Sequence, residues 1–78
     1  MTLLSELPIG GRAKVVNVSS TDGIGVRLLE MGLVPGVEVQ LLGTAPLGDP
    51  LEFELRGYRL SLRRAEAARV EVQPLAVL

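Results

Sequence analysis

The sequence contains no cysteine, no histidine and no tryptophan. Without cysteine there is no disulfide, no thiolate nucleophile and no soft metal ligand. That usage suits a cytosolic protein. The joint absence of cysteine and histidine excludes the Ser/His/Asp and Cys/His nucleophile systems. It also removes the ligands of an ordinary zinc site and of a two-histidine iron site. Aromatic residues are scarce, with one phenylalanine and one tyrosine. Both Phe53 and Tyr58 fall on the face expected to be core, which leaves no stacking platform for single-stranded nucleic acid.

Charge of one sign is lacking too. Eight basic residues meet nine acidic ones, for a net charge of −1. No basic surplus favours nucleic acid or an anionic membrane. No apolar run approaches the roughly 18 residues of a membrane span. The short apolar runs at the N-terminus are interrupted by Glu6, so no signal peptide is expected. A role at a membrane would come through a partner. Gly23-Ile24-Gly25 lacks the third glycine and the Lys-Ser/Thr pair of phosphate-binding loops. Asp22, Asp49 and the glutamates are scattered, and Glu52 and Glu54 share what reads as a solvent face. The expectation is a non-enzyme with no cofactor and no metal-ligand set.

What the chain does have is aliphatic content and turn chemistry. Its 78 residues, 47% of them hydrophobic, are expected to form a single domain over residues 1–78. A domain this size buries about 60% of the surface its unfolded chain exposes, so the core must be densely aliphatic.

Leu3 to Leu7 reads as a short helical turn ended near Pro8, and Gly10-Gly11 permits a bend. Ala13–Val18 is a strand candidate, with Val16 and Val18 expected on one face and Val15 on the other. Ser19-Ser20-Thr21-Asp22 is rich in helix N-caps, and the helix should be running by Val26. It ends at Met31, where Gly32 suits the left-handed position after the cap and Leu33 folds back on Leu28. Val34-Pro35-Gly36-Val37 has the chemistry of a type II turn.

Val37–Leu41 alternates as a half-buried strand should. A loop follows over Gly43–Pro50. Leu51–Leu55 and Tyr58–Leu62 alternate in phase around Arg56-Gly57. A two-residue hairpin then pairs Leu55 with Tyr58, Glu54 with Arg59 and Phe53 with Leu60. Arg63–Ala68 has room for one helical turn, and Arg69–Val72 is a short final strand. Pro74 releases an apolar tail ending at Leu78. About five short strands with one helix after the first favour a small closed or nearly closed barrel, mainly β.

Several fragments, in order, carry a family resemblance. They are Leu4-Ser5-Glu6-Leu7-Pro8 leading to Gly10, Arg27-Leu28-x-x-Met31-Gly32-Leu33-x-Pro35-Gly36, and Ala45-Pro46-Leu47-Gly48-Asp49-Pro50. Gly57-Tyr58, Leu60-Ser61-Leu62-Arg63, Glu66-Ala67 and Val70-Glu71-Val72 complete them. Together they resemble FeoA, the small ferrous iron transport protein A. They also resemble the C-terminal SH3-like domain of iron- and manganese-dependent repressors of the diphtheria toxin repressor type.

The resemblance implies a small SH3-like β-barrel of about five strands with a short helical insertion after the first strand. It implies a cytoplasmic, non-enzymatic accessory of ferrous iron uptake. The implied partner is the FeoB-type iron permease, at its GTPase domain or cytosolic face. A transition-metal role is associated with the module, although this sequence lacks the nitrogen and sulfur ligands for an iron site.

Within the central motif, Leu28, Gly32, Leu33, Pro35 and Gly36 are explained by capping, core contact and turn geometry. Arg27, Glu30 and Met31 are less constrained. Arg27 and Glu30 are three apart and can pair on the helix surface. The competing reading makes Arg27, Glu30 and Met31 the partner-binding rim, with Met31 as an adaptable apolar contact. The tail residues Leu75, Val77 and Leu78 can pack on the domain itself or serve self-association.

Two alternative functions remain. One is a stand-alone regulatory domain of the iron-dependent repressor type. It is set second because the sequence starts at Met1 with no winged-helix segment. The other is a small RNA-binding barrel, opposed by charge and aromatic content.

Overall fold

The structure is a computed structural model describing residues 1–19 and 22–76. Its strands are β1 (Thr2–Leu3), β2 (Arg12–Val18), β3 (Glu38–Thr44), β4 (Leu51–Leu55), β5 (Tyr58–Leu62) and β6 (Val70–Pro74). Helix α1 (Gly23–Glu30) lies between β2 and β3, and α2 (Arg64–Ala67) between β5 and β6. All strands join one antiparallel sheet in the order β1-β6-β2-β3-β4-β5.

The alternation in the sequence becomes the two faces of this sheet. Leu51, Phe53 and Leu55 point inward while Glu52 and Glu54 face solvent. The expected hairpin register forms, with Leu55 opposite Tyr58, Glu54 opposite Arg59 and Phe53 opposite Leu60. Its turn residues Arg56 and Gly57 have φ of 51° and 83°. Positive φ at both central positions is the twist-matched type I′ geometry. Leu4, Leu28, Leu33, Leu51, Phe53 and Leu62 are each 1% exposed or less. Each large side chain buried this way is worth about 1.5–3 kcal/mol.

Four expectations are corrected. First, Val16 does not share a face with Val18. Opposite β6, Val15 pairs with Val72 and Asn17 with Glu71, so Val16 is an extra residue in a bulge. The bulge shifts the inward phase from Ala13 and Val15 to Val18 and turns Val16 out, 43% exposed. Second, the described residues form six strands rather than about five. Thr2–Leu3 pairs with Val72 and Glu71 of β6, so the helix follows the second strand.

Third, the sheet stays open. Among the described residues no ladder joins β1 to β5, which are its two edges. β5 runs directly into α2, and β1 is two residues long, so little extended backbone remains to close a barrel. The gap is instead bridged by side-chain bonds. Arg64 donates from Nη1 to the Ser5 carbonyl (3.2 Å) and from Nη2 to the Gly48 carbonyl (3.0 Å).

Fourth, Pro74 belongs to β6, opposite Ala13. The Leu75 amide donates to the Arg12 carbonyl at 2.9 Å, so the neighbouring Pro74 nitrogen faces the other side, beyond the two residues of β6 that β1 pairs with. Of the tail, Leu75 is half-buried, while Val77 and Leu78 lie outside the described residues.

Candidate functional site

The conspicuous motif is built by α1 and what stops it. The helix starts at Asp22, whose carboxylate accepts from the Gly25 amide at 3.1 Å. The same oxygen accepts from Arg69 Nη1 at 2.5 Å, tying the start of α1 to the approach to β6. The Arg69 guanidinium first, and the Gly25 amide second, hold the Asp22 carboxyl below its ordinary pKa.

At the other end the Leu33 amide donates to the Leu28 carbonyl (3.2 Å) and the Gly32 amide to that of Leu29 (3.0 Å). These are the paired bonds of the Schellman motif, with Gly32 at φ 105°. The Val37 amide then closes the proline-glycine turn on the Val34 carbonyl at 3.1 Å. Capping and turn geometry thus account for the glycines, the proline and the buried leucines.

The three remaining motif residues part company. The expected Arg27–Glu30 pair does not form. Arg27 instead reaches Glu66, the first-turn acid of α2. Glu66 is held for this from behind, because its other oxygen accepts from the Arg63 amide at 2.9 Å. Glu30 is exposed and joins no ion pair among the described residues. Met31 packs half-buried against the core, and its carbonyl accepts from the Tyr58 hydroxyl. Tyr58 was expected on the core face, but at the end of an edge strand it is 42% exposed, with its hydroxyl turned to the helix end. Phe53 is fully buried and cannot stack on a base.

Two clefts flank this region. One, of about 380 Å3, is lined by Arg27, Pro50, Ser61, Arg63 and Glu66. The other, of about 250 Å3, crosses the outer sheet face beside the exposed Arg12–Glu38 ion pair, 3.1 Å long. In the first cleft Arg27 meets residues 23 or more positions away in sequence, and no spacing rule reveals such a grouping. The sequence signal for part of it is the alternation Arg59-x-Ser61-x-Arg63, which places these side chains on one strand face. Among the described residues no three acidic side chains gather as a metal site, and the chain has no histidine or cysteine to supply other strong donors. Among them, too, no helix is long and apolar enough to cross a membrane.

Known proteins agree with this architecture. The FeoA domain family matches residues 2–74. An Fe(2+) transport protein A/Fe(2+) transporter FeoB fusion protein of Porphyromonas gingivalis is 41% identical over 70 residues. That match takes in 90% of this chain but spans only 8% of the fusion protein.

Among solved structures, the FeoA protein of Chlorobium tepidum is 43% identical with a TM-score of 0.87, covering 96% of this chain and 71% of that one. The FeoA of Stenotrophomonas maltophilia, complexed with zinc and described as a prokaryotic SH3 domain protein, is 39% identical with a TM-score of 0.82. It covers 94% of this chain and 91% of its own. A manganese-dependent transcriptional repressor superposes with a TM-score of 0.85 over 95% of this chain and 36% of its own, at 16% identity. That likeness shows the fold alone. The fold is SH3-like, realised as an open six-stranded sheet with small helices. Matched by the family over nearly its whole length and carrying the helix-stop and proline-glycine turn in place, the chain belongs to the FeoA family.

Proposed function

We propose that this chain is a non-enzymatic, cytoplasmic accessory of ferrous iron uptake, folded as one domain over residues 1–78. In this reading it docks on a FeoB-type permease, at the GTPase domain or another part of the cytosolic face. The observation that carries the proposal is the Porphyromonas gingivalis fusion, in which a segment 41% identical to this chain belongs to the same polypeptide as an FeoB transporter. Covalent linkage of two modules supports a physical association between their separate counterparts, because it raises their effective concentration. The Stenotrophomonas maltophilia relative, put forward as a ferrous iron transport activating factor, supports an accessory role.

The docking rim comprises Arg27, Glu30 and Met31. Arg27 is available to a partner because its pair with Glu66 is exposed on the arginine side, and such pairs hold by only about 0–1 kcal/mol. The tail beyond Pro74 serves as a further surface, for self-association. Sedimentation of a chain truncated after Pro74 tests that part, and an unchanged oligomeric state refutes it.

The main test is binding of the chain to the isolated GTPase domain and to the full permease, with GTP and GDP compared. Absence of binding to both defeats the proposal. The variant Arg27→Ala/Glu30→Ala should bind more weakly while its melting temperature falls by no more than about 4–8 °C. Failure of that variant to fold removes these residues as a docking rim.

A further inference from the structure

Among the described residues no strand pairs with the outer edge of β5, which lies beside the cleft lined by Arg27, Ser61, Arg63 and Glu66. In the β4–β5 hairpin the pair closing the two-residue turn, Leu55 and Tyr58, is a hydrogen-bonded pair, and such pairs recur at every second position. Tyr58, Leu60 and Leu62 therefore direct their backbone groups to β4. Arg59 and Ser61 direct theirs away from it, along the open edge. Such an edge is a template for another strand unless something blocks it.

The charges around this edge have an order. On the outer face Glu54 of β4 sits opposite Arg59 of β5, and Glu52 sits opposite Ser61. Arg63 follows in the same alternation at the end of β5. An acidic row on β4 thus gives way to a basic row on β5. Neither Arg59 nor Arg63 joins an ion pair among the described residues. Arg27 leans in from α1, and the cleft it shares with Arg63 holds a single carboxylate, Glu66, which is already bonded on both oxygens. Within that cleft two arginines meet one carboxylate, so its own balance is positive although the whole chain carries −1.

A second copy of this chain brings no carboxylate to the edge. Antiparallel pairing of β5 with itself sets Arg59 opposite Arg63 in the register about Ser61, where like charges are destabilising, and opposite the uncharged Ser61 in the register about Leu60. A strand with carboxylates at alternate positions fits well. It continues the alternation of charge across the sheet and meets Arg59, Arg63 and Arg27 from the unpaired side.

We infer that the edge of β5 is a docking site for an extended acidic segment of a partner protein, which adds as a further strand beside Arg59 and Ser61 with its carboxylates toward Arg59, Arg63 and Arg27. The main chain supplies affinity, and the arginines supply the choice of partner. The inference rests on the proposal that the chain docks on another protein, and it names the chemistry of that contact.

The test uses the 15N-labelled full chain and two capped octapeptides, one alternating Glu with Val and one alternating Lys with Val. The Glu peptide should produce saturable shifts centred on the Arg59 and Ser61 amides and slow their exchange, while the Lys peptide should not. Ser61→Pro removes an outward-facing donor that the fold does not use, and should weaken binding by about tenfold or more with the hairpin intact. Arg59→Glu/Arg63→Glu should do the same and favour the Lys peptide.

Equal response to both peptides, or shifts centred elsewhere, overturns the inference. So does an effect of inorganic phosphate alone on the arginines that matches the Glu peptide, since it marks a simple anion site. Concentration-dependent broadening confined to β5 without peptide assigns the edge to a second copy and likewise overturns it. Because the peptides are independent of the permease, failure here is distinct from failure to bind the permease.

Discussion

The Tyr58 hydroxyl donates to the backbone carbonyl of Met31, joining the start of β5 to the C-cap of α1. Gly32 lies beneath this bond, and a Cβ built there collides with the same hydroxyl. The glycine thus serves two demands, a φ of 105° and the close approach of a tyrosine.

Gly32→Ala should destabilise the fold by about 1–3 kcal/mol through backbone strain and the collision. Tyr58→Phe should cost about 0.5–1.5 kcal/mol through the lost hydrogen bond. The two should not add, because removing the hydroxyl also removes the atom the alanine methyl strikes. Urea denaturation of both single variants and the double variant measures the coupling. Strict additivity would show that strain at φ accounts for the glycine alone.

Asp22 gives the stability an acid dependence of known sign. Its folded-state pKa is depressed, chiefly by Arg69 and then by the Gly25 amide. The ionised form is therefore favoured on folding. This contribution is complete above the ordinary carboxylate range of about pH 4 and is lost as pH falls through the depressed folded value. Asp22→Asn keeps a capping oxygen but not the charge. Thermal melts between neutral and acid pH should show a shallower loss in the variant than in the parent. Parallel profiles would contradict the assignment.

The bulge at Val16 makes neighbouring valines unequal. Val16→Ser should change stability by no more than about 0.5 kcal/mol, whereas Phe53→Ala should cost about 3–5 kcal/mol. Folded domains commonly hold only about 5–15 kcal/mol in all, so the second variant should be close to unfolding when warmed. Denaturant midpoints for the pair check this. A large loss on Val16→Ser would place that side chain inside.

Arg64 spans the gap that a closed barrel would have sealed. Its two terminal nitrogens reach carbonyls of Ser5 and Gly48, which a lysine cannot do as one fork. Arg64→Lys should cost about 1–2 kcal/mol. Hydrogen exchange should accelerate at the Leu7 and Gly48 amides of the two bridged turns, while β3 and β4 stay protected. Uniform acceleration everywhere would assign the residue to global stability instead.

Much of this was legible in the residues because its causes are local. Alternation over Leu51–Leu55 and Tyr58–Leu62, with Arg56-Gly57 between, dictated the hairpin and its register through the two-residue period of a strand. Gly32 after Met31, then Pro35-Gly36, dictated the stop and turn through backbone sterics. The same fragments carried the family. Local rules gave no warning of the Val16 bulge, because a bulge is decided by what pairs across the strand. They placed Tyr58 on the inner face, because alternation does not report that an edge strand begins there. They paired Arg27 with Glu30, because helical spacing ignores a carboxylate 39 positions away.

The amino-acid sequence by itself determined the hairpin, the helix and its stop, the aliphatic core and the kinship with FeoA. Each depends on residues close along the chain or on composition. Only the tertiary structure decided that the sheet stays open and that Arg27 joins Glu66. It also set Ser61 and Arg63 beside them and, among the described residues, left the edge of β5 unpaired. Those outcomes depend on which distant segments meet once the core is buried, and that is settled by packing and strand pairing rather than by local preference.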